Sequence, residues 1–208
     1  MIRLPRRLAF GLAAASFLLP GVSRAQDNAV AVKPIQTLYA ALLDLMHQGR
    51  SVPFPQRFDT LAPIIDQVYD LETVLRVSVG PRWATMDDGT KQALFRAFRN
   101  FTIATYVANF DVYEGEKFEV MPNVRSSGPD VIVSSKIIPG KGDPTRIDYV
   151  MRANPTWRIV DVLFDGTISR VAVQRSDFRS LLASGDAQAL ITSLERKTND
   201  LSGGSLHS

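Results

Sequence analysis

In the run Trp157-Arg158-Ile159-Val160-Asp161-Val162-Leu163-Phe164, only Asp161 has the chemistry of a catalytic group placed where that chemistry could be altered. The two-residue period of a strand puts Asp161 on the same face as Trp157, Ile159 and Leu163, a carboxylate in an apolar row. Desolvation there raises a carboxyl pKa and can turn the group into a general base. The alternative is structural, with the carboxylate accepting hydrogen bonds from backbone or basic groups near the Gly166 turn. Buried acids generally persist because they are paired in this way.

Little else in the chain is suited to catalysis. The two histidines are His47, near the end of an early helix, and His207 in the C-terminal tail, which argues against histidine triads and histidine metal sites. There is no cysteine, so thiol nucleophiles and cysteine-held metals are excluded. Gly140-Lys141-Gly142 has the spacing of a hairpin turn, not of a phosphate loop. Asp87-Asp88 reads as negative charge in the first turn of a helix, complementing its dipole, in preference to a cation site. No metal site and no cofactor is expected.

The elements that must position Asp161 can be read from the spacing of apolar residues. Pro34 suits a first helical position, and Ile35, Leu38, Leu42 and Met46 mark one face of a helix ending at Gly49. Phe58, Leu61, Ile65 and Val68 mark a second helix. Asp70 caps a short third one that ends near Val79-Gly80. Thr85 reads as the N-cap of a fourth helix, with Asp88 three residues on. That helix carries Phe95, Phe98, Phe101, Tyr106 and Phe110, which either pack the core or in part line a cavity. After Gly115 the period changes to two, and four strands follow: Lys117–Arg125, Asp130–Pro139, Thr145–Ala153 and Thr156–Phe164. In the third, Arg146, Asp148 and Arg152 form a solvated face. Two closing helices are expected near Val171–Ser184 and Asp186–Thr198. Helices, a meander and further helices make an α+β domain with a curved antiparallel sheet of about four strands covered by helices.

The 208 residues open with Arg3, Arg6 and Arg7, an apolar run from Leu8 to Leu19, and Ser23-Arg24-Ala25. This is the pattern of a secretory signal peptide, residues 1–25, cleaved after Ala25. The segment holds four arginines and no acid, so its removal moves the net charge from +3 to −1. Nucleic acid is therefore not an expected partner. Residues 26–200 form one domain and residues 201–208, with Ser202-Gly203-Gly204-Ser205, a disordered tail.

An ordered series runs through the chain: Arg57-Phe58, Gly80-Pro81-Arg82-Trp83, Phe95-x-x-Phe98, Thr105-Tyr106-x-x-Asn109-Phe110-x-x-Tyr113-x-Gly115-Glu116, Trp157-x-x-x-Asp161-Val162, Gly166-x-Ile168-Ser169 and Arg175-Ser176-Asp177-Phe178. The series resembles the MlaC (toluene-tolerance) family over roughly residues 34–198. The Glu119–Arg125 region and the pattern as a whole resemble its hopanoid-associated branch, HpnM. Where the family has Gly before the tryptophan, this chain has Pro155-Thr156, which alters the turn.

The resemblance implies a periplasmic component of an ABC lipid transport system, with a fold similar to nuclear-transport-factor-like domains. It implies an apolar cavity between sheet and helices that holds a phospholipid or a hopanoid. The implied partners are an inner-membrane transporter complex bearing an MCE-type protein and an outer-membrane lipoprotein complex. In this reading Asp161 belongs to the scaffold of the last turn of the sheet.

Carrying a lipid is a problem of water exclusion. A tail of about sixteen carbons represents on the order of 10 kcal/mol against water, at about 0.8 kcal/mol per CH₂. The cavity should then be dry and near the upper end of the usual range of roughly 300 to 1,000 Å³. Its expected lining is Phe98, Phe101 and Tyr106 from the long helix, with Val133, Ile137, Tyr149, Met151, Trp157 and Ile159 from the sheet. No catalysis is needed. The rival readings are an isomerase or dehydratase using Asp161 as base, marked by a small cavity in which Asp161 and a tyrosine converge, and a solid-cored periplasmic adaptor.

Overall fold

The structure, a computed structural model, describes residues 21–183 and 185–206. Residues 1–20 of the expected signal peptide lie outside the described residues. Six helices and five strands follow in order: α1 (Gly21–Gln48), α2 (Phe54–Val68), α3 (Leu71–Val79), α4 (Asp88–Asn109), β1 (Lys117–Ser127), β2 (Asp130–Ile138), β3 (Thr145–Ala153), β4 (Trp157–Phe164), β5 (Ile168–Ser169), α5 (Arg170–Leu181) and α6 (Gln188–Leu201).

Two helix starts differ from expectation. Pro34 lies inside α1 and does not begin it. Ala31, Ile35, Leu38, Leu42 and Leu45 are all but fully buried at i, i+3/i+4 spacing, so the apolar stripe carries the helix upstream through the proline. By length and composition the stretch Asn28–Ser51 could cross a membrane, yet this stripe is taken by the core of the domain. At α4 the N-cap is Asp87, whose carboxylate accepts from the Thr90 backbone N–H at 2.9 Å and its hydroxyl at 2.6 Å. A carboxylate outcompetes the Thr85 hydroxyl, which instead donates to the Arg82 carbonyl. The third helix starts as expected, with Asp70 accepting from the Thr73 N–H at 3.0 Å.

The strands form one antiparallel meander, β1-β2-β3-β4-β5, the short β5 adding a fifth strand to the expected four. One face is apolar and covered by helices. There Val133 pairs with Tyr149, Ser135 with Ile147, and Tyr149 with Val162. Helix α1 is fixed to this face by hydrogen bonds as well as packing. The Tyr39 and Ser135 hydroxyls are 2.6 Å apart, Tyr149 donates to Tyr39 at 3.1 Å, and Ser135 donates to the Ile147 carbonyl. Three polar side chains are thus satisfied inside an apolar layer, as burial requires.

The opposite face is less solvated than expected. Asp148 is fully buried, clamped by Arg146 through Nε at 3.0 Å and Nη2 at 2.7 Å and by Arg125 at 2.7 Å. The half-exposed arginine stems cover it, which residue type alone does not predict. Burial pushes the Asp148 carboxyl up, but hydrogen bonds from Arg146 and Ser134 and the charges of Arg146 and Arg125 prevail and hold it below its ordinary value.

A carboxyl lowered on folding stabilises the fold above its unfolded value, about 3.9, and that contribution is lost as the pH falls through the folded value. Thermal melts should therefore show stability falling steeply below about pH 4. Asp148→Asn should be less stable at neutral pH and lose part of that acid slope, and a variant with the parent's full slope would count against this assignment.

At the C-terminus, residues 202–206, expected to be disordered, form tight turns. Gly203 and Gly204 donate to the Asp200 and Asn199 carbonyls, Ser202 is buried and Leu206 packs on the core. The two glycines, at φ of 60° and 79°, permit the left-handed path this requires.

Candidate functional site

A cavity of about 230 Å³ lies between the apolar face of the sheet and helices α3, α4 and α5. The sheet contributes Ile137, Ile147, Tyr149, Val162 and Phe164. Helix α4 presents the stripe Phe98, Thr102, Thr105 and Asn109, with Tyr106 beside it; α3 adds Leu71 and Val74, and α5 adds Val171 and Gln174. Asn109 and Phe164 are solvent-exposed and mark its mouth.

The stripe on α4 explains what sequence reasoning missed. Thr102 and Thr105 look polar, but their hydroxyls donate to the Phe98 and Phe101 carbonyls at 2.9 and 2.7 Å. Threonine that bonds back to the helix adds little polarity to a wall. The usable signal was spacing: positions 98, 102, 105 and 109 share one helical face.

Of the residues expected to line a cavity, Phe98, Tyr106, Ile137 and Tyr149 do so. Val133, Met151 and Ile159 are fully buried in the core instead. They sit on the apolar face, but α1 packs against β2 and β4 there and the end of α2 reaches β4: Tyr69 pairs with Ile159, and the Asp70 backbone N–H donates to the Ile159 carbonyl at 3.0 Å. Phe101 turns away toward α6, where the Lys197 ammonium lies 5.7 Å from its ring centre. Trp157 is half-buried at the start of β4.

A β-bulge decides where Asp161 goes. Met151 faces Ile159 while Val150 faces Asp161, so Val160 is the extra residue. One inserted residue reverses the alternation, so Val162 and Phe164 join the apolar row and Leu163 leaves it. Asp161 lies at the edge of the cavity, and its carboxylate is occupied. One oxygen accepts from the backbone N–H groups of Val162 and Val171 at 2.8 and 3.0 Å, and the other accepts from the Ser169 hydroxyl. Ser169 in turn caps α5 by accepting from the Ala172 N–H at 3.0 Å. The carboxylate thus ties β4 to the start of α5. With both oxygens engaged by three donors, most of its accepting capacity is spent on holding β4 to α5.

Two tyrosines form the polar spot inside the cavity. The Tyr69 and Tyr106 hydroxyls are 2.5 Å apart. Burial pushes Tyr106 up to about 12 and Tyr69 well above its ordinary value, so both remain neutral donors at physiological pH. Among the described residues no cluster of three or more His, Asp or Glu could hold a metal ion.

With this geometry in place, comparison with known proteins is decisive for ancestry. The family described as MlaC protein matches residues 36–196. The chain belongs to the MlaC family. Its fold is similar to that of a phospholipid-binding protein from Ralstonia solanacearum solved in complex with a phospholipid, at a TM-score of 0.70 and 18% identity, covering 84% of this chain and 97% of that one. No curated protein matches. This MlaC-family chain therefore carries the α+β fold expected of it, an open antiparallel sheet with helices over one face.

Proposed function

We propose that the protein is a periplasmic lipid carrier that holds the apolar part of a phospholipid or hopanoid in the cavity between sheet and helices. It would pass its cargo between an inner-membrane MCE-type ABC transporter complex and an outer-membrane lipoprotein complex. The observation that carries this reading is an apolar cavity with an open mouth in a chain of the MlaC family. The phospholipid bound by the protein from Ralstonia solanacearum, whose fold is similar, supports it.

The cavity falls below the range of roughly 300 to 1,000 Å³ set out for a tail-binding site. An apolar hollow without a guest gains dispersion contacts by contracting, since each wall atom that meets another recovers part of its attraction. Loading a tail then requires α4 and α5 to part from the sheet. Release into water would forfeit the on-the-order-of 10 kcal/mol of a buried tail, so discharge needs a partner offering an equally apolar path.

The cavity is small and its lining includes Asp161 with Tyr69, Tyr106 and Tyr149, an arrangement that favours the rival enzyme reading. The engagement of the Asp161 oxygens weighs against it. The cavity itself weighs against a solid-cored adaptor. Native mass spectrometry of protein purified from a lipid-containing periplasm is expected to show a one-to-one lipid adduct, identifiable after release. Protein that is uniformly free of lipid would overturn the carrier reading.

A further inference from the structure

Resting on the carrier reading, we propose that the Arg170 guanidinium at the cavity is an anion-binding group that holds the phosphate of a glycerophospholipid, with the tails directed inward. Arg170 is the only cation among the described residues lining the cavity. It makes no hydrogen bond or ion pair with any described residue. Several other arginines of the fold are committed: Arg57 donates to the Val52 and Val107 carbonyls, Arg99 pairs with Asp66, Arg146 with Asp148, and Arg152 with Asp130.

The one acid in the same wall, Asp161, forms no hydrogen bond or ion pair with Arg170; its oxygens accept from Val162, Val171 and Ser169. Arg170 is also the first residue of α5, yet the backbone donors there are used, Val171 by Asp161 and Ala172 by Ser169. What is left for an anion at this spot is the side chain. A guanidinium offers parallel N–H donors in a planar fork that matches two phosphate oxygens.

The neighbouring groups fit the same guest. The Tyr69 and Tyr106 hydroxyls use one of their two protons on each other, leaving the second for an outside acceptor. The positive charge of Arg170 lies near enough to both to oppose the rise that burial causes in them. Much of the remaining lining is apolar, including Phe98, Val74, Ile147 and Val162, which suit acyl chains. A neutral lipid would fill the apolar end and leave the guanidinium in water.

The test compares two lipids with the same acyl chains, dioleoyl phosphatidylglycerol and dioleoylglycerol, in transfer from labelled vesicles to the delipidated full-length protein. The parent should take up the phospholipid in preference. Arg170→Gln should lower phospholipid loading about tenfold and leave dioleoylglycerol loading unchanged, while Arg170→Lys, which keeps the charge without the fork, should retain an intermediate level. An Arg170→Gln variant that loads phospholipid like the parent would overturn the proposal while leaving the carrier reading intact. Equal loss of both lipids would make Arg170 a structural residue and also overturn it. Inorganic phosphate binding to the parent as tightly as the phospholipid would assign the group to free phosphate. A parent that loads neither lipid would remove the carrier reading itself.

Discussion

A Thr102→Trp variant should emerge from purification folded but without lipid. Thr102 sits mid-helix on the cavity side of α4, and its hydroxyl serves only the helix carbonyl four residues back. Threonine and tryptophan have similar helix propensities, so the backbone has little reason to change. The indole enters existing empty space of about 230 Å³, so it displaces the guest before it strains the core. Loading measured by native mass spectrometry should fall at least about tenfold, corresponding to about 1.4 kcal/mol or more of lost binding. Thr105→Trp, one turn on, should act in the same way. Arg96→Trp, at an exposed position of the same helix, should load as the parent does. Full loading of both cavity variants would show that the lipid lies elsewhere.

Removing the Asp161 carboxylate should have a large effect on stability. Asp161→Ala leaves the Val162 and Val171 N–H groups and the Ser169 hydroxyl without their acceptor, and unties β4 from α5. Charged hydrogen bonds of this kind contribute about 1.5–3 kcal/mol each, but partial exposure lets water replace some, so a loss of about 3 kcal/mol is expected. For a domain of this size that lowers the melting temperature by about 6–12 °C. Asp161→Asn keeps one acceptor oxygen and should lose less. Well below the melting temperature both variants should still load lipid, whereas a carboxylate acting on a substrate would leave a stable, unloaded or inactive protein on replacement.

The helices and strands were legible because their signals are local. Asp70 and Gly80 bracket α3 as their types demand, and Ser126–Pro129 and Gly140–Pro144 separate strands whose ends fall close to the expected positions. The cavity was legible only in part. Phe98, Tyr106, Ile137 and Tyr149 could be assigned because large apolar residues on the inward face of an element tend to meet whatever lies between layers. Met151 and Ile159 have the same character and face, yet α1 and the end of α2 close over that part of the sheet. Nothing in their own neighbourhood of sequence records this.

The sequence by itself determined the order of the elements, the α+β class and the ancestry, since caps, turn residues and periodicity act over a few residues. Tertiary structure decided the rest. The extra residue at Val160 reversed the alternation of β4 and moved Asp161 from the apolar row to the junction with α5. Arginine stems buried an aspartate that strand periodicity placed in water. The cavity exists where side chains from α3, α4, α5 and the sheet fail to meet. A gap between elements distant in the chain is a property of their packing, and no single segment encodes it.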